Sequence, residues 1–315
     1  MTAQLIDATT GNHIWAERYD RELDDIFALQ DEITETIVAS VEPELGMVER
    51  ERARRKPPEN LDAWSSYHSG LWHLFDDVKR DSLAEAKRLF QRACKLDPGF
   101  AAAHAELAYT YVAEIIRGLT DDPVANLDAA ADAAEKAVSL DSRDPAARCA
   151  KGRVLIFRHA YERAIGEMEA ALDLNASFDR AYYGLGLALL YGGKPEESIS
   201  QFETGIRLSP RSPVLWAYWM MLGLAYINLQ KYPEAAASFD KAIQQPNAAF
   251  MPFAFAAATL GQSGRIDEAR TMLVEAKKRH PKVSINTIRN TVDLLGPNSG
   301  MDWIIDGLRK AGLPE

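Results

Sequence analysis

The sequence predicts an all-α fold, a solenoid of antiparallel helix pairs, preceded by a short N-terminal β-hairpin and helix. Three observations predict the solenoid. One spacing of bulky and small residues, Trp219, Leu222, Gly223, Tyr226, then Ala235 and Phe239, spans two helical stretches. The register is regular: Ser142 to Ala176, Ala176 to Pro210 and Asn247 to Pro281 are each 34 residues apart, a period typical of helical repeat arrays. Helix punctuation agrees. Asp144-Pro145 and Ser212-Pro213 each place a capping side chain before a proline suited to the first helical position, and Pro98, Pro210 and Pro281 close helices, since proline cannot continue one.

The spacing W-x2-L-G-x2-Y…A-x3-F resembles the tetratricopeptide repeat. Its packing reason is that small residues at the Gly223 and Ala235 positions let two helix backbones approach while bulky neighbours interdigitate. The same frame runs forward through Phe253, Ala256, Ala257, Leu260, Ala269, Leu273 and Ala276, with Gly264 in the turn. Backward it takes in Tyr182, Leu185, Gly186, Leu189, Ser198, Phe202 and Gly205, with Gly193 in the turn. Earlier units carry Gly152, Leu155, Ala164, Met168 and Ala171; then His104, Leu107, Ala108, Tyr111, Ala130, Ala134 and Ala137; and first Trp64, Tyr67, Gly70, Ala86, Phe90 and Ala93. Six tetratricopeptide repeats over residues 61–282 result. Pro98 to Ser142 is 44 residues, and the excess is placed around Gly118–Asn126. Pro210 to Asn247 is 37, with three extra residues placed near Val214–Ala217. Ile285, Ile288, Val292 and Leu294, followed by Trp303, Ile304, Leu308 and Leu313, predict capping helices over 283–315, because an array must cover its last apolar face.

Residues 1–60 do not fit the repeat. Thr2–Ala8 and His13–Tyr19 read as strands about Thr9-Thr10-Gly11-Asn12. Ile26, Leu29, Ile33, Ile37 and Val41 then recur at helical spacing, with a break at Pro43. A lone hairpin is marginal in water, so it either docks on the following helix or ends a larger sheet; self-association through it is a further option.

The 315 residues carry a formal charge of −10 with 26% charged and 47% hydrophobic residues, a folded-protein composition. A net negative array is a poor ligand for phosphate backbones, so no direct nucleic-acid partner is expected. No run of eighteen apolar residues suggests a membrane span, and without a signal peptide a cytoplasmic location is expected. The basic run Arg50–Lys56 reads as a solvated helix end. Cys94 and Cys149 read as small buried hydrophobes.

No catalytic residue, metal site or cofactor is expected. The six histidines form no H-E-x-x-H, no Cys-x-x-Cys exists, and His68 and His73 have a poor ligand spacing. Gly184-x-Gly186 reads as helix packing. Gly192-Gly193-Lys194-Pro195 has proline where a phosphate loop needs Ser or Thr. Asp76-Asp77 and Asp121-Asp122 read as helix caps.

In an array of this kind the first helices line a concave groove that holds an extended peptide or helix. The frame places Tyr109, Val112, Arg153, Ile156, Phe157, Arg180, Tyr183, Tyr191, Met220, Asn228 and Gln262 in that groove, with Leu187 and Leu224 either there or packed between units. Aromatic side chains and arginine anchor interfaces. An apolar segment carrying a carboxylate, forked by Arg153 and Arg180, is the expected ligand.

A second resemblance rests on Thr2-Ala3-Gln4-Leu5-Ile6-Asp7-Ala8, Gly11-Asn12-His13-Ile14-Trp15-Ala16-Glu17-Arg18-Tyr19-Asp20, Asp25-Ile26-Phe27 and Gln30-Asp31-Glu32-Ile33. These are similar to the end of the TolB-like domain that precedes tetratricopeptide arrays in bacterial class III adenylate/guanylate cyclases and some winged-helix regulators. The stretch Arg54-Arg55-Lys56-Pro57-Pro58 and the ending Gly307–Glu315 resemble the cyclase-linked members. The resemblance implies that residues 1–60 are a remnant of that domain in a truncated or split member, with no effector domain and no catalytic residue to carry over. The expected function is a non-catalytic scaffold holding a protein or peptide segment. The alternative is a regulatory fragment of a cyclase or transcriptional regulator.

Overall fold

The computed structural model describes residues 2–6, 13–18, 62–76 and 80–315. Fourteen helices follow one another among the described residues from Asp62 onward. They are α1 (Ala63–Asp76), α2 (Arg80–Leu96), α3 (Ala101–Ile116), α4 (Pro123–Leu140), α5 (Pro145–Phe157), α6 (Tyr161–Leu174), α7 (Asp179–Tyr191), α8 (Pro195–Leu208), α9 (Leu215–Asn228), α10 (Tyr232–Ile243), α11 (Phe250–Gln262), α12 (Ile266–Arg279), α13 (Ile285–Asp293) and α14 (Met301–Ala311). From α1/α2 to α11/α12 they pack as consecutive antiparallel pairs. The second helix of each pair also packs on the first helix of the next.

The close approach within a pair is physical at Gly223 and Gly186. A Cβ at Gly223 would lie 2.4 Å from the Phe239 ring, and one at Gly186 would lie 2.5 Å from the Phe202 ring. The fully buried phenyl groups occupy the space a side chain would need. Met168 packs between neighbouring pairs in the same way, since Cβ atoms at Gly152 and Gly184 would meet its methyl group at 2.7 and 2.3 Å. The first helices α3, α5, α7, α9 and α11 each break through a left-handed residue, Gly118 (φ 61°) closing α3. Gly193 and Gly264 take this role at φ 81° and 73°, while His159 and Gln230 take it at 55° and 59°, a conformation that costs an L-residue about 1–2 kcal/mol.

The long second pair differs from expectation in where its extra residues go. The turn Arg117–Asp122 is only part of the excess, because α3 and α4 themselves run to 16 and 18 residues. Asp122 caps α4 by accepting the Ala125 amide at 2.9 Å, and Asp144 caps α5 by accepting that of Ala146 at 2.8 Å. Ser212-Pro213 does not start a helix. Helix α9 begins at Leu215, so the extra residues there extend the connection from α8.

The fold class is corrected in one respect: it is an all-α solenoid, and the expected β-hairpin is not part of it. Thr2–Ile6 (β1) and His13–Arg18 (β2) pair antiparallel, Thr2 opposite Arg18 and Ile6 opposite His13. That sheet ends at two strands, a unit of marginal stability by itself, and no strand occurs among the described residues of the array. Self-association through the hairpin is therefore not carried forward. The helix expected after Asp20 and the basic run Arg50–Lys56 lie outside the described residues.

Past the last pair the chain doubles back. Helix α14 lies on α11, where Gly261 and Gly307 bring two backbones together: a Cβ at Gly307 would meet the Ala258 carbonyl oxygen at 2.3 Å. Ile285, Ile288 and Val292 of α13 are buried, and the Ile285 amide donates to the Pro314 carbonyl at 2.8 Å.

Candidate functional site

The first helices of pairs two to four bring Tyr109, Arg153, Arg180 and Tyr183 together. Helix α5 carries Arg153, which is only 5% exposed. Its guanidinium lies 5.9 Å from the centre of the Tyr109 ring on α3 and 5.3 Å from that of Tyr183 on α7. Such cation–π contacts offset part of the burial of a charge. Among the described residues no carboxylate lies within ion-pair distance of Arg153, and its Nε is buried without a hydrogen-bond partner.

Arg180 is placed differently. It donates two hydrogen bonds to the Glu106 carboxylate, at 2.7 and 3.0 Å, joining α7 to α3 across the intervening pair. Burial works against its charge, and the Glu106 carboxylate more than offsets that, holding the guanidinium well above its ordinary pKa. The fork expected from two arginines is thus divided: Arg180 is met from within the chain by Glu106, whereas Arg153 has no such partner among the described residues. Glu106 carries no signal in the sequence, because its role depends on a partner 74 residues away. Burial pushes the Tyr183 hydroxyl up to about 12 against the pull of the neighbouring Arg153 guanidinium, so it remains neutral.

The other expected residues divide into two groups. Phe157, Tyr191 and Met220 are buried, as are Val112, Ile156, Leu187 and Leu224, so these seven make up the wall and the seams between pairs. The Tyr191 hydroxyl has no hydrogen-bond partner among the described residues, and burial raises its pKa. Asn228 and Gln262 instead hold the returning C-terminal segment. Asn228 Nδ2 donates to Asn298 Oδ1 at 2.9 Å, and its Oδ1 accepts from Ser299 Oγ at 2.7 Å. Gln262 Nε2 donates to the Trp303 carbonyl at 2.8 Å and to Asp306 at 3.0 Å, while Lys310 donates to its Oε1 at 2.7 Å.

A separate cleft of about 350 Å³ lies between α8, α9 and α10. It is lined by Trp219, Tyr226, Glu203 and Lys241, and the Lys241 ammonium sits 4.2 Å from the centre of the Trp219 ring. Among the described residues no cluster of three or more His, Cys, Asp or Glu could hold a metal ion, and no helix is long and apolar enough to cross a membrane.

A family model described as "Tetratricopeptide repeat" matches residues 149–213 and 183–250. The chain carries tetratricopeptide repeats. It is 38% identical over 148 residues to a Rhizobium meliloti (strain 1021) protein named "Putative adenylate cyclase 3", a match covering 46% of this chain and 24% of that protein. It is 30% identical over 138 residues to the type IV pilus assembly protein PilF of Pseudomonas aeruginosa, covering 43% of this chain and 51% of that one. The chain therefore matches about a quarter and about half of the length of these two relatives. Among solved structures, a chain of the APC/C hetero-tetramer Cut9–Hcn1 superposes with a TM-score of 0.61 at 18% identity, covering 80% of this chain and 47% of that one. The likeness shows the helical solenoid alone and lends no support to the N-terminal hairpin as part of the fold. Repeat arrays of this kind are typically non-catalytic interaction scaffolds.

Proposed function

We propose that this chain is a non-catalytic scaffold that holds a segment of another protein in the groove formed by α3, α5 and α7. The observation that carries the reading is Arg153, a cation buried between two tyrosines with no carboxylate partner among the described residues. Burying an unmet charge is expensive unless something meets it, and a guanidinium presents a fork suited to a carboxylate. The ligand is accordingly an apolar or aromatic segment carrying an Asp, a Glu or a terminal carboxylate. Tyr109 and Tyr183 flank the cation and provide the rigid aromatic surface that interface anchors favour. A cytoplasmic location goes with this reading, and the chain divides into residues 1–60, the six repeats of 61–282 and the capping segment 283–315.

Arg153→Gln tests it. Loss of a charge-assisted bond of about 1.5–3 kcal/mol should weaken capture of the chain's protein partner from lysate by tenfold or more, with the melting transition retained. Unchanged capture by a folded Arg153→Gln chain would remove the groove from the account.

The second reading is that the array is the regulatory part of a nucleotide cyclase or a winged-helix regulator, with residues 1–60 a remnant of a TolB-like domain. The 38% identity to the cyclase-named protein supports it. Under either reading the purified chain alone should form no cyclic nucleotide from ATP or GTP, and turnover there would contradict both.

A further inference from the structure

The returning C-terminal segment runs along the array from the α5–α6 turn to the end of α9, held by the side chains of His159, Tyr161 and Asn228. From the end of α13, the chain passes the turn between α5 and α6, where Tyr161 Oη donates to the Leu295 carbonyl at 2.7 Å and His159 Nε2 lies 3.4 Å from the Leu294 carbonyl. The two rings stack at 6.0 Å and 21°, presenting their polar edges to consecutive backbone carbonyls. Leu294 and Leu295 pack half-buried against the core of the first pairs. The segment then reaches α9, where Asn228 holds both Asn298 and Ser299. Trp303, early in α14, stacks on Tyr232 at 4.7 Å and 5°.

Side chains of the array thus hold main-chain carbonyls and short polar side chains of one strap, while an adjacent leucine pair fills the apolar wall. Burial is uneven along the strap: Gly296 is buried, Leu294, Leu295 and Asn298 are half-buried, and Pro297 and Ser299 are exposed. Helix α13, by contrast, is buried through Ile285, Ile288 and Val292, and α14 through its glycine contact with α11.

We propose that Leu294–Ser299 is a resident, displaceable occupant of the groove, and that the partner it competes with is an extended segment of the same chemistry. That segment has two consecutive aliphatic side chains followed by a glycine and, within three residues, an Asn or Ser. The proposal rests on the reading of the groove as a protein-segment site. It adds a second, neutral subsite at His159, Tyr161 and Asn228 beside the cationic one at Arg153.

Gly296 offers a specific way to release the strap. Its φ is +109°, and a Cβ there would lie 2.0 Å from Tyr161 Oη. Alanine must either leave that backbone conformation or push away the tyrosine that holds Leu295, and both break the anchor. A fluorescent peptide of residues 290–302 is titrated into the full chain and into Gly296→Ala, with anisotropy as the readout. In the wild-type chain the tethered strap outcompetes the peptide through its high effective concentration. The released groove should bind it at least tenfold more tightly, and Asn228→Ala added to Gly296→Ala should abolish the gain. Equal affinity for both chains, or no binding to a folded Gly296→Ala chain, would overturn the proposal. So would a concentration-dependent dimer of the wild type that excludes the peptide, because the strap would then act in a second copy. If Gly296→Ala does not fold by circular dichroism, Asn298→Ala/Ser299→Ala removes the polar anchor alone and the same criteria apply. The peptide is the chain's own, so the assay does not depend on a foreign partner. Peptide binding alongside intact capture by Arg153→Gln keeps the strap and removes the cationic subsite. No peptide binding alongside lost capture does the reverse.

Discussion

Asp144 shows how one side chain does two opposing things. It caps α5, and burial raises its pKa against the pull of the Ala146 amide, with Glu106 and Asp141 adding to the rise. A carboxyl whose folded pKa is raised binds its proton more tightly in the folded state, so its contribution is present at low pH and lost as pH rises through the folded value. Asp144→Asn, which keeps the cap without the charge, should match or exceed the wild type in stability at pH 7 and lose that advantage as pH falls through the carboxylate range. Asp144→Ala should lose about 1 kcal/mol in chemical denaturation. Gly193 makes a purely conformational case, since nothing lies within 4 Å of where its Cβ would be. Gly193→Ala should therefore destabilise by about 1–2 kcal/mol through its left-handed φ alone. The cysteines are held inert: burial pushes the thiols of Cys94 and Cys149 up to about 11. The folded chain should resist alkylation at pH 7 and react only after denaturant is added, because the thiolate is the nucleophile.

At the scale of the helix, the pairs were legible in the sequence because their determinants are local and stereotyped. A glycine such as Gly223 and a phenylalanine such as Phe239 lie 16 positions apart and meet by the geometry of one hairpin. The same reading misjudged Ser212-Pro213, which looks like a helix start but lies in the connection that lengthens the fifth pair. It also put the extra residues of the second pair in a loop, although most of them extend α3 and α4. Length in a helix leaves no composition signal when the added residues are alanine-rich, as in α4. Tyr109, Arg153 and Tyr183 come together because each sits on a first helix of successive pairs. The pairing of Arg180 with Glu106 and the fastening of Asn228 by the strap were not legible in the sequence, because each depends on contacts 70 or more residues apart. A docking element of this kind can be tested directly. Gly307→Val would drive a side chain into the Ala258 carbonyl. It should destabilise the α11–α14 contact by about 1–3 kcal/mol, the usual effect of overpacking, seen as faster amide exchange in residues 301–311.

A tetratricopeptide array is commonly treated as a one-dimensional stack in which each unit feels only its neighbours. This molecule departs from that picture at two points. The Glu106–Arg180 bridge links pairs two and four, and the strap links pairs three and five to the C-terminus. Both should make unfolding more cooperative than nearest-neighbour stacking alone. Removing Arg180 leaves Glu106, whose side chain is 2% exposed, as an unmet buried charge. Arg180→Ala should therefore cost about 3 kcal/mol, and Glu106→Ala added to it should recover part of that. A full cost in the double variant would show that the pair matters through packing and not through charge.

The central claim is that the inner face of the array is the ligand surface. Hydrogen exchange of the full chain with and without its captured partner tests it most directly. The account expects new protection in α3, α5 and α7, around Tyr109, Arg153 and Tyr183, together with loss of protection in residues 294–300 as the strap is displaced. Protection confined to α8 and α10, around the Trp219–Lys241 cleft, with the inner face and the strap unchanged, would contradict it.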